Sequence, residues 1–461
     1  MTFTKKNVII IFIISNLPFF DTIDVFYWIY TLKLVIFDVI TDIIIKDSKN
    51  LKRGAHMAYS LKKLFHIDKT RYEEEYEKRF NSDTAVHLDF KIGKEQAFVC
   101  QTPEILNFII SIERTDKAVN ELHNRLPKIA INQFANRCLI DEIVLSNNIE
   151  GVHSTRKELS AILKDLSEKN KRQQFYGLVK KYKMLLTQDC IPLETCEDIR
   201  KIYDDIFLDE IRTNDPENEP DGKIFRKNSV SVYSPTGLEI HKGLTPEEKI
   251  IYTMDSALKL LKNDKLDILV RISLFHYLFG YIHPFYDGNG RTSRFISSYL
   301  LSQELNHLIG YRISYTIKEH LSEYYKSFEV CNNPLNRGEL TPFVEMFLNI
   351  IDISHKQLLT ALDKRVNDLE RYYELLNVIL AGENEHVYDL YYILIQATLF
   401  SDSGITAKEL AHYIKISETT LRSMLKNIPQ GLLVTDKRER EFHYLMDLEE
   451  LDQRYSIPAN P

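Results

Sequence analysis

The run His283-Pro284-Phe285-Tyr286-Asp287-Gly288-Asn289-Gly290-Arg291-Thr292-Ser293-Arg294 gathers an imidazole, a carboxylate, a glycine-rich turn and two guanidinium groups into one short stretch. Together these groups suit phosphate chemistry. His283 titrates near neutral pH and is a candidate general base. Asp287 offers the hard oxygen that Mg²⁺ takes alongside substrate phosphates. Gly288, Asn289 and Gly290 let the backbone approach an anion closely and adopt positive φ. Arg291 and Arg294, three apart, can aim near one face of a helical turn, and their planar forks match phosphate oxygens.

These residues need two helices to hold them. Leu266 to Phe279 is densely apolar and, with no Gly or Pro inside, predicts a buried helix that Gly280 and Pro284 then break. Thr292 to Leu301 resumes a helical pattern, which sets Gly288-Asn289-Gly290 at a helix N-terminus, where unpaired N–H groups and the positive dipole end favour an anion. A plain glycine-rich turn with solvated arginines would account for the glycines, but not for base, metal ligand and both arginines at this spacing.

At every fixed position, His283 to Arg294 resembles the signature H-x-F-x-[D/E]-G-N-G-R-x-x-R of the Fic family. The resemblance implies a mainly α fold and transfer of AMP from ATP, with Mg²⁺, to a hydroxyl side chain of a target protein. It assigns His283 as the base and Phe285 as the residue anchoring the loop in the core. Asp287 would be the metal ligand, and Gly288, Asn289 and Gly290 the phosphate cradle, with Asn289 near the α-phosphate. Arg291 would meet the β-phosphate and Arg294 the γ-phosphate, and pyrophosphate would leave.

Upstream, Ser146-Asn147-Asn148-Ile149-Glu150-Gly151 ends an apolar-periodic stretch from Ala135 to Leu145. Ser146 and Glu150 share a helix face, and Gly151 suits a C-cap. The segment resembles the family's inhibitory motif [S/T]-x-x-x-E-[G/N]. The resemblance implies that Glu150 pairs with Arg294 in the γ-phosphate seat and autoinhibits the enzyme; some relatives with this Glu also run the reverse, AMP-removing reaction. Between the two motifs, Lys223 to Tyr233, Ser234-Pro235-Thr236-Gly237 and Leu238 to His241 read as a β-hairpin. It resembles the family's flap, which docks an extended target segment by strand addition, with Phe225, Val230 and Val232 as its docking residues.

The 461-residue chain has room for about two or three domains. Its net charge of −7 argues against broad nonspecific nucleic-acid binding. Five scattered cysteines with no C-x-x-C pair favour reduced thiols in a cytoplasmic setting and argue against zinc. Residues 1–56 are unusually apolar, yet Lys33, Asp38 and Asp42 make a membrane span costly. Met57 is the expected natural start, with a membrane or interfacial anchor as the alternative.

The expected organisation is an apolar segment 1–56, a helical region 57–185 with the inhibitory helix, a catalytic core 186–350, a connector helix 351–385 and a C-terminal domain 386–461. In the last, Tyr388–Phe400, Ile405–Ile414 and Glu418–Lys426 read as helices, and Gly431–Val434 with Phe442–Leu445 as a wing. This resembles a winged helix-turn-helix. Acidic residues outnumber basic ones over 386–447, which weakens DNA binding and sets protein docking at least level with it, although Arg422, Lys426, Lys437, Arg438 and Arg440 could cluster. The competing readings are therefore an autoinhibited AMP transferase, a de-AMPylase or user of another nucleotide donor, and a nucleotide-sensing transcriptional regulator. Self-modification and a homodimer are compatible with the first.

Overall fold

The structure, a computed structural model, describes residues 60–166, 173–233, 239–437 and 442–455. The expectations for residues 1–56, for the hairpin turn 234–237 and for Arg438 and Arg440 lie outside these. The described chain is mainly helical, with three small antiparallel sheets.

Two short helices, α1 (Leu61–Ile67) and α2 (Lys69–Phe80), lead into a hairpin of β1 (Ala85–Ile92) and β2 (Glu95–Cys100). Sequence reading missed this hairpin, whose faces alternate in burial along β1. Then come α3 (Pro103–Arg125), α4 (Lys128–Ile149), α5 (Arg156–Lys164), α6 (Tyr176–Thr187) and α7 (Cys196–Tyr203). The last continues through a π-helical turn, Asp204–Leu208, into α8 (Asp209–Asn214). β3 (Ser231–Tyr233) and β4 (Glu239–Lys242) pair antiparallel, followed by α9 (Glu247–Leu260), α10 (Ile268–Ile282) and α11 (Asn289–Glu304).

Helix α10 is buried almost all round, as its unbroken apolar composition requires. It runs through Gly280 instead of ending there. A Cβ at Gly280 would stand 2.8 Å from the Phe328 ring, so this glycine serves helix packing and Pro284 marks the break.

The chain continues through α12 (Ile313–Glu319) and α13 (Leu321–Asn332) to α14 (Thr341–Ile379), one long helix that crosses the expected core–connector boundary at 350/351. Helices α3 and α14 lie side by side and parallel: Thr102 bonds Glu345, Ser111 bonds Asp352 and Arg125 forks onto Glu370.

The C-terminal elements are α15 (Glu385–Phe400), β5 (Ile405–Thr406), α16 (Ala407–Ile414), α17 (Glu418–Asn427), β6 (Leu433–Asp436), β7 (His443–Met446) and α18 (Leu448–Tyr455), with strand order β5-β7-β6. Thr406 and Glu409 form a reciprocal capping box on α16, and Ser417 caps α17. This region grips α4 and α5. Asp402 accepts from Arg137 of α4 at 2.9 Å and pairs with Arg156 at the start of α5, which also pairs with Asp141. Phe400 packs edge-on to Phe134, and Lys164 meets His443 at 3.1 Å. Both helices that flank Glu150 are thus tied to the C-terminal elements.

The π-helical turn is docked through Gly177 of α6. A Cβ there would fall 2.3 Å from the Asp205 carbonyl oxygen and 2.6 Å from that of Ile206. Backbone cannot yield as a side chain can, so Gly177→Ala is expected to destabilise the fold by about 1–3 kcal/mol. Urea unfolding checks this: the midpoint should fall with an unchanged m-value, and an unchanged midpoint would contradict the packing described.

Candidate functional site

Helix α10 ends at His283, whose backbone is left-handed (φ 52°). The chain turns through Pro284 to Asp287, and Gly288 (φ 77°) opens α11. The loop is fastened at several points. Asn289 accepts from the Phe285 N–H at 2.9 Å and donates to the Phe285 carbonyl at 2.8 Å. The Phe285 ring stacks on Tyr203 at 3.6 Å between centroids, and the Tyr203 hydroxyl donates to the Asp287 carbonyl. Thr292 bonds back to the Gly288 carbonyl through both N–H and hydroxyl. Phe285 is fully buried, as expected. The Asn289 side chain thus closes the loop on its own backbone.

From the other side, Arg226 holds the loop. It is fully buried without a carboxylate partner and donates to the carbonyls of His283, Asn228 and Leu244. Glu247 accepts from the N–H groups of Lys223, Ile224 and Phe225 and so fixes the segment carrying Arg226. Sequence reading assigned neither residue a role. Phe225, expected to dock a target, is fully buried and packs edge-on to Phe285 at 5.6 Å. It belongs to the loop's foundation and cannot touch a partner. Val230 and Val232 are half-buried; Val232 pairs with His241 across the hairpin, and the Val230 carbonyl accepts from Gly243 N–H.

Burial pushes the His283 imidazole down to about 4, His241 and the Arg226 guanidinium add to the effect, and Glu150 opposes it. The ring is therefore neutral at ordinary pH and can accept a proton. Asp287 is half-exposed and accepts from Arg291 Nη2 at 3.2 Å. It is one hard oxygen donor open to solvent, which fits Mg²⁺ completed by water and phosphate oxygens. No group of three or more His, Cys, Asp or Glu suited to an all-protein metal site occurs among the described residues.

Both arginines are almost fully buried. Arg294 is wholly engaged: Nε donates to Ser146 Oγ at 2.9 Å, Nη2 to the Ser146 carbonyl at 2.9 Å and Nη1 to Glu150 Oε1 at 2.7 Å. The Ser146 carbonyl is available because the last turn of α4 tightens: Glu150 N–H bonds to Asn147 instead. Gly151 (φ 73°) then turns the chain away. The Glu150 carboxylate lies over the first turn of α11, where a Cβ on Gly290 would be 2.0 Å from Oε1. Spacing puts Ser146 and Glu150 on one face and the resemblance implies the pairing of Glu150 with Arg294; the structure places all three in contact.

One helical repeat earlier on α4, buried Glu142 accepts from the Ser314 N–H and hydroxyl at the start of α12. Burial pushes its carboxyl up to about 7, against these bonds and Arg294. It pins the helix that delivers Glu150.

Three comparisons bear on this site. The Fic/DOC family model matches residues 193–301. Among curated proteins, protein adenylyltransferase Fic from Drosophila mojavensis is 31% identical over 138 residues, covering 30% of this chain and 24% of that protein. The Aedes aegypti protein of the same name is 41% identical over 69 residues, 15% of this chain and 12% of that protein. The chain therefore spans a quarter or less of these relatives' length. Among solved structures, a Fic family protein from Desulfovibrio desulfuricans G20 aligns with TM-score 0.46 at 20% identity, covering 75% of this chain and 96% of that one. Fic-1 from C. elegans (residues 134–508) aligns with TM-score 0.40 at 19% identity, covering 56% and 74%.

The His283 shift has a sign that can be measured. In NMR, with His283→Asn for assignment, this imidazole should titrate near pH 4; titration between 6 and 7 would contradict the burial described. The unfolded chain binds that proton more readily, so the group costs stability as pH falls from about 6.5 through about 4.

Proposed function

We propose that this chain, whose residues 193–301 form a Fic/DOC family domain, is a protein adenylyltransferase that transfers AMP from ATP to a hydroxyl side chain of a target protein and rests with Glu150 in its phosphate site. The observation that carries this reading is Arg294. It is a buried guanidinium beside a glycine-opened helix N-terminus, with its donors taken by Ser146 and a carboxylate from another helix. A carboxylate on such a site is a chemical mimic of a phosphate oxygen.

With Glu150 withdrawn, the triphosphate lies along the first turn of α11, its distal oxygens on Arg294 and its middle phosphate on Arg291. Neutral His283 takes the proton of the target hydroxyl. That oxygen forms a bond to the α-phosphorus, and the bond from this phosphorus to the bridging oxygen breaks. Pyrophosphate leaves with the electron pair. Mg²⁺ held by Asp287 neutralises phosphate charge when bound. Arg226, Asn289 and Tyr203 keep the loop in place, and the β3–β4 hairpin with Val230 and Val232 lies next to it to receive an extended target segment.

The test is incubation of the purified protein with Mg²⁺ and ATP labelled at the α-phosphate. Glu150→Gly should raise label transfer to protein roughly tenfold or more, equivalent to about 1.4 kcal/mol of released competition. His283→Ala in that background should lower transfer by about 10²–10⁴. Equal labelling of wild type and Glu150→Gly would refute the resting state, and full activity of the His283→Ala protein would refute the base.

A further inference from the structure

The helix leading into α8 does not stay regular where it passes beneath the phosphate loop. At Asp204–Leu208 it widens into a π-helical turn, an irregularity that recurs at functional sites. Tyr203, Phe207 and Glu210 all face the loop. Tyr203 carries the Phe285 ring. A Cβ on Gly288 would stand 3.3 Å from both the Phe207 and the Tyr203 rings, so these two form the floor on which the loop's first glycine rests.

Phe207 has a second contact. The Arg291 guanidinium carbon lies 4.5 Å above its ring centroid. Both side chains are buried, Phe207 at 1% exposure and Arg291 at 2%. The hydrogen bonding of Arg291 is incomplete: Nη2 donates to Asp287, while Nε and Nη1 have no acceptor, and Glu210 Oε1 stands off at 3.6 Å from Nη1. A buried guanidinium with two idle donors costs free energy. Something must hold it flat in this position and something must use the donors. The aromatic face can do the first through cation–π attraction without consuming a hydrogen bond.

The geometry points to Phe207 as a positioning residue that holds Arg291 with Nε and Nη1 free for the oxygens of a di- or triphosphate, while Glu210 serves as the stand-off counter-ion at rest. This rests on the reading of the site as one for ATP. The role belongs to a nucleotide's distal phosphates, since the α-phosphate lies closer to His283 in that reading. A nucleoside monophosphate lacks the groups that Arg291 would meet.

The experiment uses the full chain carrying Glu150→Gly and compares Phe207→Leu with Phe207→Met, the latter keeping an unbranched apolar side chain with little change of packing. Calorimetric binding of ATP, ADP and AMP is measured with Mg²⁺ present. Loss of the ring should weaken ATP and ADP roughly tenfold and leave AMP within about twofold, with KM for ATP rising in parallel. A general collapse of the floor would weaken all three alike and overturn the assignment, as would unchanged ATP affinity in both variants. If the Leu variant does not fold, the Met variant decides by the same comparison. Failure of the parent reading is separately visible: the Glu150→Gly protein with Phe207 intact would then bind no ATP.

Discussion

Two helix ends meet at Glu150 and Arg294 and cap each other. The C-terminus of α4, electronegative and with a carbonyl freed by its tightened last turn, receives the Arg294 guanidinium from α11. The N-terminus of α11, electropositive and opened by Gly288, receives the Glu150 carboxylate from α4. Each helix lends the other the charge that its dipole favours. Because Arg294 is buried and Glu150 is one-third exposed, the pair is lopsided. The arginine needs a partner, whereas the glutamate can return to water. In the proposed function, that asymmetry is what would let an anion replace the carboxylate without leaving the cation orphaned.

The surroundings serve to keep this meeting point narrow. Glu142 and Ser314 fix α4 from one side, and Arg137, Arg156 and Asp402 tie α4 and α5 to the C-terminal elements from another. The loop between α10 and α11 is held by backbone-directed bonds from Asn289, Arg226 and Tyr203. None of the three needs a ligand to be satisfied. The loop is therefore held in shape by the protein's own groups, and a ligand bound there need not order it.

Much of the site was legible because its logic is local. Glycines at a helix start, arginines three apart and a Ser–Glu pair four apart all follow helical geometry, whereas the pairing of Glu150 with Arg294 comes from the family resemblance and not from spacing. Helices α10, α11, α15, α16 and α17 likewise declared themselves by apolar spacing and caps. What escaped reading depends on tertiary context. Phe225 falls in the expected flap because Lys223 to Tyr233 reads as one arm of a hairpin, yet Glu247 holds its backbone and the ring enters the core. Asn289 carries its polar group to the loop itself, a choice invisible in a motif string. The π-helical turn below the loop has no sequence pattern of its own, and its carbonyls approach Gly177 closely. The boundary expected at 350/351 falls inside α14, which keeps its apolar stripe across it, from Phe343 to Leu376.

In the proposed function a carboxylate and a phosphate compete for one buried arginine, Arg294. The most direct measurement is the dissociation constant for ATP with Mg²⁺ in the wild-type chain and in Glu150→Gly, by calorimetry at one pH and salt concentration. Competition predicts at least roughly tenfold tighter binding when Glu150 is absent, the factor that corresponds to about 1.4 kcal/mol. Equal affinity in the two proteins would mean that Glu150 does not occupy the nucleotide's seat.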